Sequence, residues 1–151
     1  MKIKHPSDTD KKHIVIFRAG IINRRYFTGP TVAILTGVNF NNLTAGAGIG
    51  INGSGNNKFH ELVIALKAYP LPGKISPIIY TEMGYASGRS YYREGSGPII
   101  NFGTGLKIRY KRILYCYFEI GFKIFMIKYS NDYYKEYSND NYFGGTISIG
   151  V

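Results

Sequence analysis

The 151 residues amount to one domain, long enough for a real core or a small closed barrel. Glycine stands at 19, tyrosine at 14 and phenylalanine at 9, with charged residues at only 19%, which is unlike a disordered or a helical chain and suits β-structure with a small-residue interior. A single cysteine excludes a disulfide framework or a cysteine-rich metal site, and the formal charge of +10 points to an acidic partner, nucleic acid or phosphate-bearing lipid headgroups.

Residues 1–12 read as a solvated basic N-terminal tail, ahead of a β-barrel domain over 13–151. The tail lacks the apolar h-region of a secretory signal. No run approaches the roughly 18 apolar residues of a transmembrane helix. Residues 13–19 predict a weak strand in which Arg18 shares the parity of Ile14 and Ile16, and 20–30 read as a connection. A strand over 31–39 sets Val32, Ile34 and Val38 against Ala33, Gly37 and Asn39, and 39–42 form a tight turn.

Residues 43–52 alternate most sharply, with Leu43, Ala45, Ala47, Ile49 and Ile51 against Thr44, Gly46, Gly48, Gly50 and Asn52. Period two means strand, because successive side chains point to opposite faces. A glycine row would weaken a helix by about 1 kcal/mol per residue relative to alanine. On the inner wall of a narrow barrel it leaves room for large side chains from opposite strands. Residues 53–57 predict a loop, 60–68 a strand with Leu62, Ile64 and Leu66 on one face, and 70–73 a turn. The next strand, 74–86, contains Pro77, an awkward residue where a ladder donor is needed. Residues 87–97 read as a polar loop.

The longest alternation runs over 99–128, two segments joined at Tyr110-Lys111-Arg112. One parity carries Ile100, Phe102, Leu106 and Ile108, then Phe118, Ile120, Phe122, Ile124 and Met126. The other carries Asn101, Gly103, Gly105, Lys107 and Arg109, then Glu119, Gly121 and Lys123. Residues 129–141 predict a Tyr/Asn/Asp/Ser loop, and 142–151 a last strand with Phe143, Ile147, Ile149 and Val151 on one face. The sum is eight strands with long and short connections in alternation, both termini at the short-turn end. The two segments of 99–128 match or exceed the roughly 9–11 residues a tilted strand needs to cross a bilayer. The expected fold is therefore an all-β, eight-stranded antiparallel up-and-down transmembrane β-barrel, apolar outside and small or charged inside.

Of nine acidic residues only Glu61, Glu82 and Glu119 fall within predicted strands, all on the face opposite the apolar row, where Lys67, Lys107, Arg109 and Lys123 also fall. Confined in a narrow tube, these groups predict a lumen ion-pair network and a plugged interior. The competing arrangement is a soluble lipocalin-like barrel, which would turn the apolar row inward to bind an apolar ligand. The glycines on the charged parity, the long apolar rows and the aromatics near strand ends (Phe40, Tyr69, Tyr85, Tyr110 and Phe143) favour the membrane form.

The run 37–51 (GVNFNNLTAGAGIGI) resembles a stretch recurrent in small bacterial outer-membrane β-barrel domains of the OmpA/OmpX-like, eight-stranded kind, as do Lys74-Ile75-Ser76-Pro77, Gly84-Tyr85-Ala86 and the closing 146–151 (TISIGV). The resemblance covers most of 31–151 and rests on glycine and alternation, with no catalytic group. It implies a Gram-negative outer-membrane location and insertion by the barrel-assembly machinery; the lack of a secretory signal in the residues given departs from that pattern. The chain ends in Val151 where such barrels usually end in phenylalanine.

No cofactor or metal is expected. The spacing Gly48-Ile49-Gly50-Ile51-Asn52-Gly53 matches a dinucleotide fingerprint, but that motif must open a helix. His5, His13 and His60 are scattered, and Cys116 has the apolar parity. A lipid-modifying enzyme with His60 and Ser54, or Asp132 and Asp140, at its rim is the remote alternative to a monomeric protein of structural or surface-interaction role. Arg24, Arg25, Lys58, Arg89, Arg93, Lys128 and Lys135, interspersed with tyrosine, fall in or beside the predicted outer connections. There lipopolysaccharide phosphate is a simpler partner than nucleic acid.

Overall fold

A computed structural model describes residues 12–24, 27–40, 42–53, 57–71, 73–90, 93–110, 114–130 and 135–151. The tail apart from Lys12 lies outside the described residues. Eight strands follow one another: β1 (Lys12–Arg24), β2 (Phe27–Phe40), β3 (Leu43–Asn52), β4 (Asn57–Ala68), β5 (Ile75–Ser90), β6 (Arg93–Arg109), β7 (Tyr115–Ser130) and β8 (Lys135–Gly150). Each pairs antiparallel with the next, and β8 closes on β1 from Ile16 opposite Gly150 to Asn23 opposite Phe143. Backbone bonds in both directions between Val15 and Val151 extend the seam to the last residue. Ladder partners followed from His13 through Val38, Ala45, Leu66, Thr81, Phe102, Phe122 and Phe143 return to β1 at Asn23. That stagger is the shear a closed barrel of tilted strands requires.

From β2 to β8 the apolar parity faces outward. Ile64, Ile49, Leu62 and Ile75 are 61–71% exposed, while Glu82, Glu119 and Lys67 on the opposite face are 1–2% exposed. This sidedness reverses that of a soluble barrel. β1 is apolar on both faces, with Ile14, Ile16 and Ile22 buried and Phe17 and Ile21 exposed, which explains why its sequence pattern is weak. Three glycines of the inner face lie against large side chains. Tyr80 Oη occupies the space that a Cβ on Gly103 or Gly121 would need, and Tyr117 and Ile14 crowd Gly150. Pro77 stands near the start of β5, opposite Leu106.

The strand ends depart from expectation. Residues 20–24 and 27–30, placed in a connection, pair with each other as the outer ends of β1 and β2. Likewise 87–90 pair with 93–96 rather than forming a polar loop, and 135–141 pair with β7. Backbone ladder bonds do not depend on side-chain hydropathy, so pairing continues where both faces of the strand become polar and the alternation fades. The long connections at the end away from the termini are thus mostly strand. Gly53, which follows β3, has φ of 107°, a left-handed conformation that glycine adopts without a Cβ penalty.

Candidate functional site

Inside the barrel the buried charges meet across the lumen. The Arg18 guanidinium on β1 donates to Glu82 Oε1 on β5 at 2.6 Å, and Asn101 Nδ2 donates to Glu82 Oε2 at 2.8 Å. Glu119 on β7 pairs with Lys67 on β4, lies 4.0 Å from Arg18 and accepts from Thr146 Oγ1 at 3.3 Å. Lys123 Nζ reaches both oxygens of Glu61, at 3.0 and 2.8 Å. Three cations therefore face three carboxylates, which is how ionised groups persist away from water. Lys67 also sits over the rings of Tyr80 and Tyr117, and Lys123 over Phe125.

Two of the cations expected in this network stand apart from it. Lys107 Nζ lies 3.9 Å from the Tyr69 ring centre and 4.5 Å from that of Tyr115, a cation–π setting without a carboxylate within ion-pair distance among the described residues. Arg109, at the terminal end of β6, is exposed. Arg18 takes the place that sequence reasoning assigned to them. Its signal was the single charge on the Ile14/Ile16 parity, masked by a strand apolar on both faces. Tyr69, expected among the end-of-strand aromatics, is instead buried and shares a 3.0 Å hydrogen bond with the Thr44 hydroxyl.

Above the charged layer the lumen turns apolar. Ile22, Phe59, Ala86, Ile99, Phe125 and Ile127 are buried toward the far strand ends, and the Phe59 and Phe125 rings stand 6.0 Å apart.

On the outer wall, several of the cations set beside the connections come together. Lys58 and Arg89 are ladder partners, Arg89 also faces Glu94, and Lys128 faces Ser96. With His60, Ser87, Gly88 and Gly95 they line an open groove of about 510 Å³. Arg24, Arg93 and Lys135 stand at strand ends at this same far end; Arg25 lies outside the described residues. Of the rim residues considered for catalysis, Ser54 and Asp132 lie outside the described residues, and His60 faces outward between Ile51 and Ser87. Asp140 stands opposite Phe125 in the β7–β8 ladder. The glycine pattern 48–53 lies within β3 and the turn after it, and Cys116 pairs with Ile149 in the wall. No three His, Cys, Asp or Glu residues converge as metal ligands among the described residues.

No family model and no curated protein matches the chain. Among solved structures it is similar to neisserial surface protein A, at 10% identity and a TM-score of 0.67, over 92% of this chain and 95% of that one. It is also similar to the N-terminal β-barrel domain of Pseudomonas aeruginosa OprF, at 11% identity and a TM-score of 0.55, over 93% and 98%. The fold is that of the small eight-stranded outer-membrane β-barrels.

Proposed function

We propose that this chain spans a bacterial outer membrane as a monomeric barrel with a side-chain-filled lumen, serving a structural or surface-interaction role without catalysis. The observation that carries the reading is the sidedness of the wall. Leu62, Ile64, Ile79, Met83, Ile120 and Phe122 are all more than half exposed, while Glu61, Lys67, Glu82, Glu119 and Lys123 of the same strands are buried on the opposite face. Leaving an aliphatic side chain in water rather than burying it costs roughly 1.5–3 kcal/mol. A belt of such residues around the whole wall is stable only against hydrocarbon. Exposed Phe40 and Tyr110 near one end of the belt and Tyr85 near the other fit interfacial girdles. Lipopolysaccharide is the expected lipid partner at the far end, and the barrel-assembly machinery the partner during insertion.

The test is partition and heat-modifiable mobility. The chain refolded into phosphatidylcholine vesicles should sediment with them, resist carbonate extraction and run faster on a gel unheated than boiled. A chain that stays monodisperse in buffer without detergent would sink the membrane reading.

A further inference from the structure

We infer that the outer wall across β1 to β7 carries a built site for one phosphate-bearing lipid, with a cationic head pocket and an apolar trough for its acyl chain; the inference rests on the membrane reading above. Two grooves supply it, and His60 borders both. The upper one is the 510 Å³ groove of Lys58, Arg89, Lys128, Ser87 and Ser96. The lower one, of about 560 Å³, runs along the wall between Phe17, Val32, Ile34, Ile49 and Ile51. The ladder sets the two side by side: Ile51 is the cross-strand partner of His60, His60 that of Ser87, and Lys58 that of Arg89.

The chemistry selects the occupant. Lys58 and Arg89 offer a point charge and a planar fork to phosphate oxygens, and Ser87 and Ser96 add hydroxyl donors. Glu94, facing Arg89 at the rim, opposes a second anion and confines the pocket to one phosphate group. A free phosphate or a nucleic acid would leave the trough unused, and a zwitterionic lipid would bring its own cation to the cationic pocket. An anionic amphiphile satisfies both halves. Its headgroup would stand where the wall changes from apolar to polar, beside exposed Tyr85.

The test uses the full chain refolded into vesicles of equimolar phosphatidylcholine and diphosphoryl lipid A, then transferred to detergent and weighed by native mass spectrometry. One lipid A should be retained in preference to phosphatidylcholine, and its dephosphorylated form should not be. Lys58→Ala with Arg89→Ala should lower retention about tenfold or more, since each cation near an anionic headgroup contributes on the order of 1 kcal/mol. Lys74→Ala with Arg109→Ala, exposed cations at the opposite end, should leave it unchanged. Each variant is first checked for the heat-modifiable shift, and Lys58→Gln with Arg89→Gln replaces the alanine pair if that pair does not fold. Undiminished retention in the folded Lys58 and Arg89 variants, or equal retention of phosphatidylcholine by the unmodified chain, would overturn the site. A chain that inserts and shows the shift but keeps no lipid A defeats the site alone; one that never inserts defeats the membrane reading.

Discussion

Arg18 shows how much rests on single residues in so narrow a tube. It is 7% exposed, its guanidinium reaches Glu82 directly, and Glu119 stands within 4.0 Å. Truncating one partner of a buried pair leaves the other charge desolvated and unpaired, a loss of about 3–5 kcal/mol. Arg18→Ala should therefore lower the urea midpoint of the refolded barrel by an amount of that size, read by loss of the fast-migrating gel form. Arg18→Met with Glu82→Gln removes both charges, keeps volume and preserves an acceptor for Asn101. It should recover the stability to within about 1–2 kcal/mol of the unmodified chain. If the double variant is as weak as Arg18→Ala, side-chain packing rather than charge pairing accounts for the effect.

At the scale of the strand, legibility followed the environment of the outer face. β3 was readable to its last residue because Ala47, Ile49 and Ile51 alternate with Gly46, Gly48 and Gly50 from end to end. The interior carboxylates were readable for the same reason, since parity alone assigns Glu61, Glu82 and Glu119 to the inner face. The strand extensions were not, because Ser87-Gly88-Arg89-Ser90 and Arg93-Glu94-Gly95-Ser96 are polar on both faces and carry turn-forming residues. Their backbones nonetheless pair in full register, from Ser87 opposite Ser96 to Ser90 opposite Arg93. The same fading of pattern hid the outer-wall groove, whose cations lie apart in sequence and meet only through this pairing. Hydrogen exchange separates the two descriptions. Paired amides of 87–90 and 93–97 should be protected comparably to those of 81–84 in the middle of β5, whereas a solvated loop would exchange near the free-peptide rate.

For the whole molecule, the ion pairs do something the ladders do not. Each strand is hydrogen-bonded only to its two neighbours round the wall. The bridges Arg18–Glu82, Lys67–Glu119 and Lys123–Glu61 instead join β1 to β5 and β4 to β7, strands that share no ladder. They tie the wall across its diameter, with Ile14, Ile78 and Tyr117 near-fully buried toward the terminal end and Ile99, Phe125 and Ile127 toward the other. An eight-stranded interior is just wide enough for such side chains. A continuous water path would have to part three crosslinks and an aromatic layer at once. The refolded chain in a planar bilayer should accordingly show no discrete conductance steps. Glu61→Ser with Lys123→Ser, which removes one crosslink and its volume, leaves Phe59 and Phe125 in place and should also remain closed. Adding Phe59→Ala and Phe125→Ala to that pair should admit brief, small steps. Well-resolved steps from the unmodified chain would mean that the lumen conducts and that the crosslinks line a pore.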